Sequence, residues 1–123
     1  MHRVLLIHPN EKLLDLYNRP LRKHFDLHTA QNGLMGLRKI KQLAPHIIYS
    51  SYHLPLLSGV ALIKFTRAYS KTAATPFIFL SDSGSVEQGL NLGADGWIDL
   101  TVSSPDFIIG YTFDRLKNIV KII

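Results

Sequence analysis

The sequence contains no cysteine in its 123 residues. A disulfide scaffold, a cysteine-liganded zinc site and a thiol enzyme are therefore excluded, and we expect a protein of the reducing cytoplasm. No apolar run approaches the roughly 18 residues that a membrane-spanning helix requires. The apolar run over residues 4–7 is also too short for a signal peptide. Disulfide-rich folds and membrane-spanning helices are thus excluded, and we expect no membrane partner.

Charged residues make up only 19% of the chain, and hydrophobic residues make up 46%. This balance is typical of a globular protein, and the length predicts one domain over residues 1–123. The net charge of +5 comes entirely from residues 1–50, which hold eight Lys/Arg and three Asp/Glu. We interpret this excess as a solvated face of the first two predicted helices. The alternative is a docking face for an acidic partner or a nucleic acid.

Short apolar runs alternate with longer segments of helical period, which predicts a βαβαβαβαβα order. The predicted strands are residues 3–8, 26–30, 47–51, 77–81 and 96–99. Asn10 caps the first predicted helix, which Pro20 should kink or restart. The second predicted helix starts at Gly33, and the third and fourth cover residues 59–70 and 86–92. The last predicted helix runs from Pro105 to about residue 122. Such alternation predicts a parallel sheet with helices on both faces.

The pattern also predicts which side chains are buried. Leu6, Ile48, Ile78 and Leu80 should lie in the core of the central strands. In the second helix we expect four residues to face inward, namely Leu34, Leu37, Ile40 and Leu43.

Open parallel sheets bind ligands outside the carboxyl ends of their strands. His8, Ser51, Ser81 and Asp99 stand at the ends of predicted strands, and His53 follows shortly after one of them. No Gly-x-Gly-x-x-Gly, Walker-type or Gly-x-Ser-x-Gly motif accompanies these positions, so dinucleotide, P-loop and hydrolase sites are unsupported.

Three segments carry a resemblance to a known family. Residues 45–51 are followed by Pro55 and Gly59, residues 76–81 form a Pro-led apolar strand, and residues 93–98 read Gly-Ala-Asp-Gly-Trp-Ile. In order and spacing the whole chain resembles the receiver domain of bacterial response regulators. The resemblance implies a doubly wound, flavodoxin-like (βα)5 fold with one five-stranded parallel sheet in the order 2-1-3-4-5.

The resemblance also implies a chemistry. In the family, a histidine kinase phosphorylates one aspartate at the end of the third strand. Two acids after the first strand hold Mg²⁺ with it, and a Ser/Thr and a Lys contact the phosphoryl oxygens. A hard oxygen site and two donors match that chemistry. The corresponding positions here are His8, Pro9, Ser51, Ser81 and Leu100, with Trp97 at the position of the switch aromatic.

Only Ser81 retains the residue type of the family. His8 and Pro9 offer no carboxylate to Mg²⁺, a phosphoester on Ser51 would be stable, and Leu100 cannot bind phosphate. We therefore expect no Mg²⁺ or other metal, no cofactor and no enzymatic activity. The sequence favours a degenerate pseudo-receiver that keeps the fold and lacks the phosphoacceptor.

The leading interpretation is a phosphorylation-independent module that makes protein–protein contacts in two-component signal transduction. Its partner would be a histidine kinase, an output domain or a second copy of the chain. One alternative is an atypical receiver switched by a small ligand or by protonation of His8 or His53. The other is a nucleic-acid-binding domain that uses the basic face of the first two helices.

The last predicted helix has two apolar stripes at helical spacing. The first stripe should pack on the sheet and comprises Ile109, Phe113, Leu116, Val120 and Ile123. The second stripe is a candidate interaction face, into which Arg115 is set, and comprises Ile108, Tyr111, Ile119 and Ile122.

Overall fold

The computed structural model describes residues 1–81 and 92–122, with side chains as far as Lys117. The strands are β1 (Arg3–Ile7), β2 (Asp26–Ala30), β3 (Ile47–Ser51), β4 (Phe77–Ser81) and β5 (Gly96–Asp99). The helices are α1 (Glu11–Arg22), α2 (Gly33–Leu43), α3 (Gly59–Ala68) and α4 (Pro105–Ile122). The predicted helix over residues 86–92 lies, except for its last residue, outside the described residues. In the described part of the chain, no helix is both long and apolar enough to cross a membrane.

All five strands form one parallel sheet in the order β2-β1-β3-β4-β5. This confirms the predicted architecture and strand order. Ile7 pairs with Ala30 and with Ser50, and Ser81 pairs with Asp99. The carboxyl ends of the strands therefore meet at one edge of the sheet, which we call the carboxyl edge.

Side chains alternate between the two faces of the sheet and form two core layers. One layer holds Leu6, Ile78 and Leu80 together with α1 and α4, and the other holds Ile48 together with α2 and α3. Each of these four strand residues is at most 1% exposed, which confirms the predicted core.

Proline interrupts α1 less than the sequence predicts. The helix runs through Pro20 without restarting. Leu14, Tyr17 and Leu21 are buried on one face, so packing on both sides of the proline holds the helix together. The predicted cap is present, because Asn10 Oδ1 accepts hydrogen bonds from the backbone of Lys12 (3.0 Å) and Leu13 (3.4 Å).

The buried face of α2 differs from the prediction. Leu34 is 38% exposed, whereas Gly33, Gly36 and Ile40 are buried. A Cβ on Gly36 would lie 2.9 Å from Ile7 Cδ1, so the helix contacts β1 through its glycine. This close approach turns Leu34 toward solvent. Helix α3 also ends two residues earlier than the sequence predicts, because the chain is already extended at Tyr69.

The assignment of the two stripes on α4 was wrong in two positions. Ile108 is 1% exposed, although it was predicted to face a partner, and Phe113 is 46% exposed, although it was predicted to pack on the sheet. The buried stripe runs through Ile108, Thr112 and Leu116. Thr112 is accommodated because its hydroxyl bonds the hydroxyl of Tyr49 (2.5 Å) and the carbonyl of Ile108 (2.7 Å). A threonine inside a buried stripe gives no apolar signal in the sequence.

Candidate functional site at the carboxyl edge

The carboxyl edge brings together the positions that the resemblance selected. His8 directly follows β1, Ser51 and Ser81 end β3 and β4, and Leu100 directly follows β5. Ser51 pairs with Leu80 in the sheet, and the backbone amide of Leu100 donates to the carbonyl of Ser81 (2.8 Å). The four positions therefore occupy one continuous edge across β1, β3, β4 and β5.

His8 is built into the turn between β1 and α1. Its side chain is 4% exposed, and its backbone amide donates to the carbonyl of Ala30 (3.0 Å). Its Nδ1 accepts a hydrogen bond from the backbone amide of Asn10 (3.0 Å). An imidazole that accepts at Nδ1 is neutral and carries its proton on Nε2. His8 therefore shapes the turn that places the Asn10 cap, and Pro9 beside it is exposed.

Ser51 is half-buried, and its hydroxyl donates to the backbone carbonyl of His53 (3.3 Å). The following loop is held against the strand because the amide of Gly59 donates to the carbonyl of Tyr52 (3.0 Å). A Cβ on Gly59 would lie 2.5 Å from the carbonyl oxygen of Ser51, so only glycine lets α3 start this close to β3. The imidazole of His53 is exposed.

The segment after β5 is closed by its own contacts. Leu100 packs against the core layer of α1 and α4. Asp99 Oδ1 accepts from the backbone amide (2.9 Å) and the hydroxyl (2.7 Å) of Thr101, and these hydrogen bonds lower the pKa of Asp99. The Asp99 carboxylate is consequently ionised and already bonded at neutral pH. Asp82, the acid that directly follows β4 in the sequence, lies outside the described residues.

The residues at the aligned positions do not fit the Mg²⁺ that the family binds. Magnesium requires hard oxygen ligands in octahedral geometry, usually one or two carboxylates. Here the acceptor nitrogen of His8 is occupied by Asn10, Pro9 has no side-chain ligand atom, and Ser51 donates to a carbonyl. Nor do any three histidine or acidic side chains within residues 1–81 and 92–122 group where they could hold a metal ion.

Trp97 lies on the face of the sheet that packs against α2 and α3. It is half-buried, and its ring centroid is 5.3 Å from that of Phe79 and 5.7 Å from that of Tyr52. Its indole nitrogen is buried and has no hydrogen-bond partner among the described residues. Tyr52 directly follows Ser51, so this aromatic cluster connects β5 to the loop after β3. The sequence gives no signal for this contact, because Tyr52 lies in the loop between β3 and α3.

The candidate interaction face on α4 stays a prediction, but the structure shows where two of its residues, Tyr111 and Arg115, lie. The Tyr111 hydroxyl lies over Gly96 at the edge of β5, and Arg115 bonds that hydroxyl (2.9 Å) and the carbonyl of Asp95. Phe107, one turn earlier, is 51% exposed, and its ring centroid is 6.1 Å from that of Tyr111. We call Phe107, Tyr111 and Arg115 the β5-side stripe. The side chains of Ile119 and Ile122 lie outside the described ones.

Basic residues near α1 and α2 are partly engaged in holding the fold. Arg3 donates to the carbonyls of Leu43 (2.9 Å) and Ala44 (3.2 Å), and Lys39 donates to the carbonyl of Thr29. These contacts support the interpretation of the basic excess as structural and solvated charge.

Comparisons with known proteins agree with this geometry. No protein-family model matches the chain. The chain is 31% identical over 123 residues to the transcriptional regulatory protein PrrA of Mycobacterium tuberculosis, covering 97% of this chain and 50% of PrrA. It is 28% identical over 121 residues to the histidine kinase P4 of Formosa agariphila, covering 95% of this chain and 8% of the kinase. The chain thus spans half or less of the length of these relatives.

A solved structure extends the comparison to three dimensions. The CheY-like response regulator receiver domain protein of Methanospirillum hungatei superposes with a TM-score of 0.88 at 21% identity, covering 98% of each chain. A similarity of this extent includes every strand and helix described above.

Proposed function

The chain has the CheY-like receiver fold of response regulators, and we propose that it is a phosphorylation-independent pseudo-receiver that signals by protein–protein contact. The observation that carries the proposal is Ser51 at the end of β3, with its hydroxyl bonded to the carbonyl of His53. A serine there cannot form the labile acyl phosphate on which the family's switch depends. The domain would therefore act without turnover and without a cofactor.

The neighbouring positions support the same proposal. Phosphoryl transfer needs cations and donors aimed at the charge that develops on the phosphoryl oxygens. His8 and Pro9 supply no carboxylate for a metal, and Leu100 packs into the core where a phosphate-binding amine would be needed. Ser81 keeps the residue type of the family, but one hydroxyl cannot neutralise a phosphoryl group.

The β5-side stripe is the surface that we propose for the partner. It combines an exposed aromatic ring, a half-buried tyrosine and a guanidinium group, which are the residue types enriched at binding hot spots. Phe107, Tyr111 and Arg115 follow an i, i+4, i+8 spacing along α4. As partner we propose a histidine kinase, an output domain or a second copy of the chain.

Beryllofluoride with Mg²⁺ tests the loss of phosphoryl chemistry, because it mimics a phosphorylated aspartate. In ¹H–¹⁵N NMR spectra we expect no saturable shifts at residues 8–10, 51 and 81. A Mg²⁺-dependent response centred on those residues would contradict the proposal. An active receiver domain under the same conditions serves as the positive control.

Phe107→Asp tests the partner surface, and Phe113→Asp is the matched control. Both residues are exposed phenylalanines on α4, but Phe113 contacts Phe25 (ring centroids 4.9 Å apart) on the side facing α1. We expect Phe107→Asp to abolish self-association in sedimentation velocity, or binding of the purified kinase or output partner. The control should retain either association. Equal behaviour of two folded variants would remove the β5-side stripe as the partner surface.

A further inference from the structure

A cavity opens at the amino edge of the sheet, opposite the carboxyl edge. Its volume is about 320 Å³. The loops that lead into β1, β3 and β4 form its walls, and α4 contributes one leucine. The lining residues are His2, Ala44, Pro45, His46, Ser70, Lys71, Ala74, Thr75, Pro76 and Leu116. A cavity of this size accommodates a small organic molecule.

The polar side of the cavity presents hydrogen-bond donors. His46 Nδ1 accepts from the backbone amide of Arg3 (2.8 Å), so the neutral ring carries its proton on Nε2. His2 lies edge-on to His46, with ring centroids 5.1 Å apart. Lys71 is exposed beside them. Within the described part of the chain, neither His46 Nε2 nor Lys71 Nζ has a hydrogen-bond partner.

The electrostatic surroundings favour an anion. No aspartate or glutamate is among the lining residues. The carbonyls at the end of α2 would present negative partial charge here, but the guanidinium of Arg3 bonds those of Leu43 and Ala44. Burial is the largest cause that lowers the pKa of His46, and the nearby charges of Arg3, His2 and the amino terminus lower it further.

The rest of the lining is apolar. Pro45, Pro76 and Leu116 form this part of the wall together with Ala44 and Ala74, and Leu116 is only 5% exposed. A free inorganic anion would use the donors but leave this wall hydrated. A molecule with a charged head and an apolar body uses both parts of the cavity.

We propose that the amino-edge cavity binds a small carboxylate with an apolar body, its carboxylate held by His46 and Lys71. The site is distinct from the carboxyl edge, so this proposal can be tested independently of the pseudo-receiver proposal. Nδ1 of His46 fixes the ring to β1, Nε2 donates to the carboxylate, and Lys71 supplies the positive charge. The apolar body contacts the wall of Pro45, Pro76 and Leu116.

Titration of the full chain with benzoate, followed by ¹H–¹⁵N NMR, tests the proposal. We expect saturable shifts of the His46 side chain and of amides near Ala44 and Thr75. Benzamide, which is neutral but otherwise similar in shape, should bind about ten-fold more weakly than benzoate. Benzoate should likewise bind about ten-fold more weakly to His46→Asn, in which the amide oxygen can still accept from the backbone amide of Arg3. Lys71→Gln should weaken binding by about three-fold, because its charge is exposed.

Lys64→Gln is the matched control, since Lys64 is exposed on α3 but does not line the cavity. It should leave benzoate binding unchanged. Non-saturating shifts, shifts scattered over the surface, or equal affinity for benzoate and benzamide would overturn the proposal. Equal weakening by Lys64→Gln and Lys71→Gln would also overturn it, because general charge would then explain the binding.

Discussion

The two edges of the sheet treat their polar side chains differently. At the carboxyl edge, three described side chains are bonded within their own loops. His8 Nδ1 accepts from the amide of Asn10, and the Ser51 hydroxyl donates to the carbonyl of His53. Asp99 Oδ1 accepts from Thr101. At the amino edge, His46 and Lys71 line a cavity, and neither His46 Nε2 nor Lys71 Nζ bonds another described residue. The edge that carries the family's chemistry is thus closed by local hydrogen bonds, while the opposite edge is open.

The difference shows that a fold and its site can change independently. Packing in the strands requires only apolar volume, which Ile48 and Ile78 supply at the centre of the sheet. Chemistry at the carboxyl edge requires particular carboxylates and an amine at fixed positions. Side chains at these positions can differ without disturbing the core, because the positions lie at or just beyond the carboxyl ends of the strands.

Truncation in the core should have the largest effect. Ile48→Ala should lower the free energy of unfolding by about 2–5 kcal/mol, because it leaves a cavity in a fully buried strand. Ser51→Ala, three residues further at the carboxyl edge, should change it by less than about 0.5 kcal/mol. Urea denaturation of both variants gives the comparison. A loss at Ser51 as large as that at Ile48 would show that the edge carries the fold.

Alkaline pH should weaken the fold through Tyr49. Burial raises the pKa of Tyr49 far above its ordinary value, so the folded state keeps a proton that the unfolded state loses. The contribution is complete below the unfolded pKa of about 10 and is lost as the pH rises above it. Urea denaturation from pH 8 to pH 11 should therefore show falling stability.

Tyr49→Phe should flatten this alkaline loss, at a cost of about 1 kcal/mol at neutral pH from the lost hydrogen bond to Thr112. Burial raises the pKa of Tyr17 as well, so Tyr17 contributes to the loss of stability at alkaline pH. Tyr17→Phe is therefore the control that measures this second contribution. An unchanged alkaline slope in Tyr49→Phe would contradict the assignment.

Two non-glycine residues with positive φ allow the edges to be compared directly. Ala44 (φ 43°) lies at the amino edge, and Leu56 (φ 71°) lies in the loop after β3. A left-handed conformation costs a residue with a side chain about 1–2 kcal/mol, and glycine removes this cost. Glycine also raises the conformational entropy of the unfolded chain, which offsets about half of the gain in stability. Ala44→Gly and Leu56→Gly should each stabilise the fold by about 0.5–1 kcal/mol in thermal denaturation. A destabilising result at either position would mean that its side chain makes contacts worth more than the strain.

Ser51→Asp alone should produce no detectable phosphorylation by acetyl phosphate. His8 still uses its acceptor nitrogen for Asn10, and Leu100 still packs against the core layer of α1 and α4. A phosphorylated Ser51→Asp variant, detected by a shift in electrophoretic mobility, would show that the edge retains a working pocket. The wild-type chain under the same conditions is the control for nonspecific modification.

The sequence predicted the strands well, because short continuous apolar runs such as Phe77–Leu80 are typical of strands that are buried on both faces of a parallel sheet. It failed where burial depends on a residue without an apolar signal. Gly36 sets the buried face of α2, and Thr112 sets that of α4 through its bond to Tyr49. Both depend on contacts between distant segments.

The candidate sites differ in the same way. The carboxyl-edge positions could be named from the sequence, since each ends a strand or comes directly after one. The amino-edge cavity could not, because His2, His46 and Lys71 come from three separate loops and meet only in the folded chain. The predicted helix over residues 86–92 and the roles of Ile119 and Ile122 stay predictions.

Intact-mass measurement after incubation with acetyl phosphate and Mg²⁺ tests the central claim most directly. The account predicts an unchanged mass for the wild-type chain under conditions in which an active receiver domain is phosphorylated. It also predicts that binding to the partner is the same with and without acetyl phosphate. A stoichiometric, Mg²⁺-dependent phosphoryl adduct on the wild-type chain would contradict it.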